Sequence, residues 1–318
     1  MPSASAFKPA WWLPSPHLQT LWPVFFRKRS LPDLMTERLE LDDGDFIDLC
    51  WSRNADRPVV LILHGLEGSL QSHYTGALMQ SLERHGYRPV FMHFRGCSGE
   101  PNRLPRSYHS GDTADLARVV DHINGIVDRR VYAVIGFSLG GNVLLKWLGQ
   151  SGHASPVQYA VAVSVPFMLD DAANRLAHGF SHLYERHLIK SLKRSYLDKF
   201  KRIESPLDLD IGTLNSFWTF DDSVTAPLHG FRNVDHYYGE SSCRQYLSGI
   251  EVPTRIIHAL DDPFMFPETV PGKDELGEKV ELVLTRHGGH VGFVSGRYPW
   301  RAEYWHESKI IEFLNGRE

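Results

Sequence analysis

The chain has 318 residues, 42% of them hydrophobic and 23% charged, with a formal charge of −4. This is the composition of a globular, enzyme-sized protein, and its net charge gives no reason to expect binding to nucleic acid or an anionic membrane. The three cysteines, Cys50, Cys97 and Cys243, are odd in number and widely spaced, which points to free thiols in the cytoplasm rather than a disulfide framework.

The first 36 residues form an arm rich in apolar and aromatic residues, interrupted by Pro9, Pro14, Pro16 and Pro23. Its basic run, Arg27-Lys28-Arg29, follows the apolar part, the reverse of a signal peptide. No stretch reaches about 18 uninterrupted apolar residues, so no spanning helix is expected. The arm should wrap on the domain with Trp11, Trp12, Leu18, Leu21 and Trp22 buried. A second reading makes it a membrane-contacting or substrate-entrance element.

Residues 37–52 alternate apolar and polar around Asp-Asp-Gly-Asp, the pattern of a hairpin. From "PVVLILHG" (58–65) onward, continuous apolar strands alternate with helical spacing: strands at 88–94, 131–138 and 158–166, helices at 72–86, 110–128 and from 139. The rhythm stops at 167 and resumes with "TRIIHAL" (254–260), "VELVLT" (280–285) and a last helix at 304–315. The expected architecture is α/β, a mostly parallel sheet opened by an antiparallel hairpin. Its core spans 37–166 and 251–318. A mainly helical insertion, 167–250, is too long for a simple loop and serves as cap or lid. Phe167, Met168, Phe180, Tyr184, Phe217, Trp218 and Phe220 there could line an acyl pocket or form the insertion's own core.

The motif that carries chemistry is Gly136-Phe137-Ser138-Leu139-Gly140, where a buried strand becomes a helix. A serine on such a turn is held in a strained conformation that lifts its hydroxyl off the sheet, so its neighbours at 136 and 140 must be small. Serine needs a base, and the base needs a carboxylate. In the order Ser, acid, His, the later segments "HALDDPF" and "TRHGGHVGF" supply Asp262 and His290. Asp261 should face the other way, and His287 stands nearly at the strand end. The backbone N–H groups of Leu139 and Leu66, the latter in "HGLEGS", would bind an oxyanion. His64 reads as an anchor of that loop. A metal at His287-x-x-His290 lacks a third ligand of suitable spacing.

On these residues the chain resembles the α/β-hydrolase superfamily. "HLQT", "HGLEGS", "HFRGCSGEPN", "SYHSGDTADL", "GFSLGGNVLLKWLG", "DDPF" and "HGGHVGF" narrow the resemblance to its YheT-like branch of bacterial hydrolases and eukaryotic lipid esterases. The resemblance implies a triad of Ser138, Asp262 and His290. It also implies cleavage of short- to medium-chain acyl esters without metal or organic cofactor, and some relatives transfer the acyl group to an alcohol instead. The partner is then a small ester or lipid-like molecule, and a fold that has lost catalysis and only binds a ligand is the rival. Cys97 reads as part of a tight loop after a strand, with Arg95 and Ser98 holding neighbouring loops, rather than as a second nucleophile. Tyr108, His109 and Asp112 should fix that loop and cap the next helix. Oligomeric state stays open.

Overall fold

A computed structural model describes residues 7–316; the first six residues of the arm lie outside them. Eight strands form one sheet: β1 (Leu34–Glu40), β2 (Phe46–Ser52), β3 (Val59–Leu63), β4 (Arg88–Met92), β5 (Val131–Phe137), β6 (Val157–Val163), β7 (Thr254–Ala259) and β8 (Val280–Thr285). Their order is β1-β2-β4-β3-β5-β6-β7-β8. The β1–β2 hairpin and the β2–β4 pair are antiparallel, and the rest of the sheet is parallel. The fold class is the expected one.

The continuous apolar run of β3 has a direct physical reason. Val59, Leu61 and Leu63 pack against the helices on one face, α3 (Thr113–Val127) and α4 (Leu139–Ser151). Val60 and Ile62 pack on the other, against α2 (Thr75–Arg84) and α10 (Trp305–Leu314). Alternate side chains point to opposite faces, and both faces are dry, so every position is apolar.

In the arm, α1 (Pro16–Phe26) starts with proline at its first position, where no N–H is needed, and Ser15 caps it by accepting the His17 amide. It turns Gln19, Thr20 and Pro23 inward. The expectation of buried aromatics therefore fails in part: Trp11 is 76% and Leu18 45% exposed, while Trp12, Leu21 and Trp22 are half-buried. The inner positions are taken by polar groups that bond the loop after β8, which leaves the aromatic side facing outward.

Between β6 and β7 lie α5 (Leu169–Leu176), α6 (His182–Phe200), α7 (Phe217–Phe220), α8 (Ala226–Leu228) and α9 (Val234–Ser241), with a π-helical turn at Asp221–Thr225. α5 and α6 are separated at Gly179, where φ is +61°. The stretch 213–239, which lacks periodicity, is a chain of short helices around Phe217, Phe220, Val224 and Tyr238. Of the aromatic candidates here, Phe167 packs in the sheet core instead.

Candidate active site

Everything at the site is carried on loops at the carboxyl ends of the parallel strands. Ser138 follows β5 and has φ 51° and ψ −118°, a conformation side chains rarely adopt. It is held there by backbone bonds on both sides, Ser138 N–H to the Val163 carbonyl at 2.9 Å and Asn142 N–H to the Ser138 carbonyl at 3.0 Å. The flanking glycines are required by contact: a Cβ on Gly136 would lie 2.4 Å from the Gly140 carbonyl oxygen, and one on Gly140 would lie 2.5 Å from that of His64. Other strained residues gather beside it. Glu67, Ser164, Val291 and Phe293 all have positive φ. For a β-branched residue such as Val291 this is a true outlier, and such strain concentrates at functional sites.

The loop after β7 presents two aspartates to opposite sides, and each finds a histidine. Asp262 Oδ2 accepts a hydrogen bond from His290 Nδ1 at 2.9 Å, while Asp262 Oδ1 accepts from the Phe264 amide at 2.9 Å. Asp261 instead pairs with the exposed His287 at 3.2 Å and accepts the Gly289 amide at 3.0 Å. With Nδ1 on a carboxylate, His290 carries its proton there and leaves Nε2 as a base. The Phe264 ring stacks on the imidazole, with centroids 4.0 Å apart and planes 3° from parallel. Among the described residues no hydrogen bond joins Ser138 Oγ to that ring; such contacts often tighten only when substrate is seated.

Ser138, Leu66, Leu139 and His290 line one cavity of about 1050 Å³. Leu139 opens α4, so its amide points out of the helix N-terminus. In the loop after β3, the Gly65 amide donates to the Tyr74 hydroxyl at 3.1 Å and the Glu67 amide to the Tyr108 hydroxyl at 2.8 Å. Among the described residues nothing accepts from the Leu66 amide between them. His64 anchors the same loop: its Nε2 accepts from the Phe94 amide at 3.1 Å, so Nδ1 donates to the Gly65 carbonyl at 2.7 Å. Burial pushes the pKa of that imidazole down to about 3, which keeps it neutral.

Other sequence candidates serve the scaffold. Arg95 makes paired bonds to Asp115 and reaches Asp43 and Asp45, tying the loop after β4 to the hairpin. Asp112 stands at the start of α3 but does not cap it; its carboxylate bonds Arg106 at 2.6 Å instead. Cys97 lines the cavity, yet burial raises its thiol well above the ordinary value, which suppresses the thiolate. Phe180, Tyr184, Phe217 and Phe220 line the cavity too, whereas Met168 and Trp218 do not. Among the described residues no cluster of three His, Cys, Asp or Glu could hold a metal.

The "HLQT" segment carries no role legible in the sequence. The structure supplies one: Thr20 Oγ1 accepts the His290 amide at 2.9 Å, and buried Gln19 bonds both the amide and the carbonyl of Val294. Two adjacent polar residues inside a mostly apolar helix were the available signal.

Residues 58–296 match the family described as the alpha/beta hydrolase fold. The chain belongs to the α/β-hydrolase family. This α/β hydrolase is 40% identical to "Putative esterase YheT" of Escherichia coli (strain K12), over 98% of this chain and 94% of that one. It is 28% identical to "Phospholipase ABHD3" of Homo sapiens, over 90% of this chain and 73% of the relative. Among solved structures it is similar in fold to the Pyrococcus furiosus esterase Pf2001, with a TM-score of 0.59 at 21% identity, covering 89% of this chain and 90% of that one.

Proposed function

We propose that this α/β hydrolase is a serine esterase that cleaves carboxylic esters of lipid-like molecules through an acyl-enzyme. One observation carries the reading: the His290 imidazole, bonded through Nδ1 to the buried Asp262, lines the same cavity as the strained Ser138. His290 Nε2 takes the Ser138 proton as Oγ attacks the ester carbonyl. The Leu66 and Leu139 amides receive the oxyanion, and Asp262 steadies the imidazolium. The tetrahedral intermediate then collapses as His290 gives its proton to the departing alcohol. Water, deprotonated by His290, attacks the acyl-enzyme, and the acid leaves with Ser138 regenerated.

The apolar side chains of Leu176, Tyr184, Phe217 and Phe220 along the cavity suit an acyl chain, and the names of the relatives quoted above agree with an ester substrate. We read the helical segment 167–250 as the cap that selects it. The test is turnover of p-nitrophenyl esters from acetate to palmitate, with fluorophosphonate labelling as a second readout. Ser138→Ala is expected to lose both, with a fall in kcat on the order of 10⁶-fold, while thermal unfolding stays cooperative. Labelling that persists in Ser138→Ala would exclude this serine. Added alcohols, followed by product analysis, separate hydrolysis from acyl transfer.

A further inference from the structure

The mouth of the cavity is rimmed by apolar side chains that water should not favour. Val24 and Phe25 from α1, Phe180 from the turn before α6 and Leu183 from its first turn all line the cavity and are all exposed. The two elements touch: the His17 ring packs at a tilt against Phe180, with centroids 4.3 Å apart, and hydrogen-bonds Tyr184 at 3.1 Å. Along α1 the apolar stripe continues as Leu18, Trp22, Phe25 and Phe26, at the spacing of one helix face. Phe25 is 71% and Phe26 66% exposed. Phe26 is not loose, since it stacks on Trp22, which in turn packs edge-on to Trp12. A patch of ordered aromatic rings, facing outward beside an active-site entrance, needs an occupant.

Charge identifies it. The chain carries −4 overall, yet residues 182–202 contain seven lysines and arginines against two acids. One acid, Glu185, is buried against the Phe217 amide, and the other, Asp198, is paired with Lys201. Leu183, Arg186, Lys190, Arg194, Leu197 and Lys201 are all exposed, and steps of three and four place them on one face of α6 and its end. Lys28 and Arg29, also exposed, extend the basic charge at the end of α1. Two leucines among four cations, of which Lys201 alone is paired among the described residues, beside an aromatic rim is the arrangement of an interfacial helix. A second copy of the chain is a poor occupant, because a symmetric contact would press this cationic face towards its own image. Among the described residues no helix is long and apolar enough to cross a membrane, so any contact with lipid is made at its surface.

We infer that the cavity mouth docks on the surface of an anionic phospholipid bilayer, with α1 laying Phe25 and Phe26 into the headgroup boundary and α6 facing the lipid phosphates. The inference rests on the esterase reading only for its purpose, delivery of an amphiphilic ester to Ser138. Its test is independent of catalysis. The Ser138→Ala protein is sedimented with vesicles of phosphatidylcholine alone, or of phosphatidylcholine mixed with phosphatidylglycerol, at low and high salt. Binding is expected to the anionic vesicles, weakened by salt. It should fall at least about tenfold in Lys190→Glu/Arg194→Glu and in Phe26→Ser, none of which lines the cavity. The same substitutions with Ser138 intact should turn over p-nitrophenyl acetate at the unaltered rate, which shows that they fold. No binding to the anionic vesicles, or binding that both variants retain, overturns the inference. So does a concentration-dependent dimer in gel filtration that Phe26→Ser abolishes. Vesicle binding without ester turnover would instead defeat the esterase reading alone.

Discussion

The loops that carry Ser138 and His290 reach the same cavity by opposite means. The serine turn is determined almost within itself: Gly136 and Gly140 give the room, β5 and α4 give the ends, and the first contacts beyond them are the carbonyls of Val163 and His64. The histidine loop is determined from elsewhere. Its amide is held by Thr20, 270 residues away, its ring by Asp262 and Phe264, and the next amide by the Ser164 hydroxyl at 3.0 Å. Short-range strain therefore sets the serine, and long-range polar contacts set the histidine.

That contrast can be tested by perturbing each side. After the loss of Ser138 itself, the largest effect belongs to the carboxylate. Asp262→Asn should keep the geometry but favour the wrong imidazole tautomer, lowering kcat by about 10⁴-fold. Asp261→Asn, acting on the exposed His287, should stay within about tenfold. Equal losses in steady-state assays would break the distinction between the two pairs. Next comes Gly140→Ala, whose methyl would meet the His64 carbonyl oxygen. Overpacking there should cost about 1–3 kcal/mol in denaturant unfolding and move Ser138 out of place, with kcat falling about 10²-fold.

A smaller effect is expected at long range. Thr20→Val removes the hydroxyl that accepts the His290 amide, so the loop loses its register and kcat should fall about tenfold with KM little changed. Thr20→Ser should restore it. A Val variant with full activity would mean that α1 merely covers the loop.

The mildest test is of pH. His64 is buried neutral with its pKa lowered to about 3, against about 6.5 unfolded. Below 6.5 the unfolded chain takes up a proton that the folded chain refuses. The stability contributed by this group is therefore complete above pH 6.5 and is lost progressively as pH falls towards 3. Replacement by Gln should flatten the acid limb of the unfolding free energy by about 1.4 kcal/mol per pH unit. An unchanged slope would mean that His64 is not held neutral in the fold.

The buried strands, the strand-to-helix serine and the Ser, Asp, His order were all legible, because each is a local pattern of apolarity, small residues or chain order. That Asp261 and Asp262 would face opposite ways was legible from strand alternation. The exposure of Trp11 and Leu18 was not, since apolar residues carry no mark of which face a partner will cover. Nor was the failure of Asp112 to cap α3, because Arg106 outcompetes the helix amides for its carboxylate at 2.6 Å. The individual helices α7, α8 and α9 were not legible either, because segments of three to eight residues show no periodicity.

By itself the sequence determined that an α/β sheet would form and that one serine would stand strained at a strand end. Hydrophobic alternation and glycine spacing are properties of neighbouring residues, so they survive being read in one dimension. Only the tertiary structure decided that Thr20 and Gln19 would hold the histidine loop, that tyrosines would engage the amides on either side of Leu66, and that an aromatic rim would meet a basic helix. Those contacts join residues far apart in the chain, and nothing in the local pattern of either partner names the other.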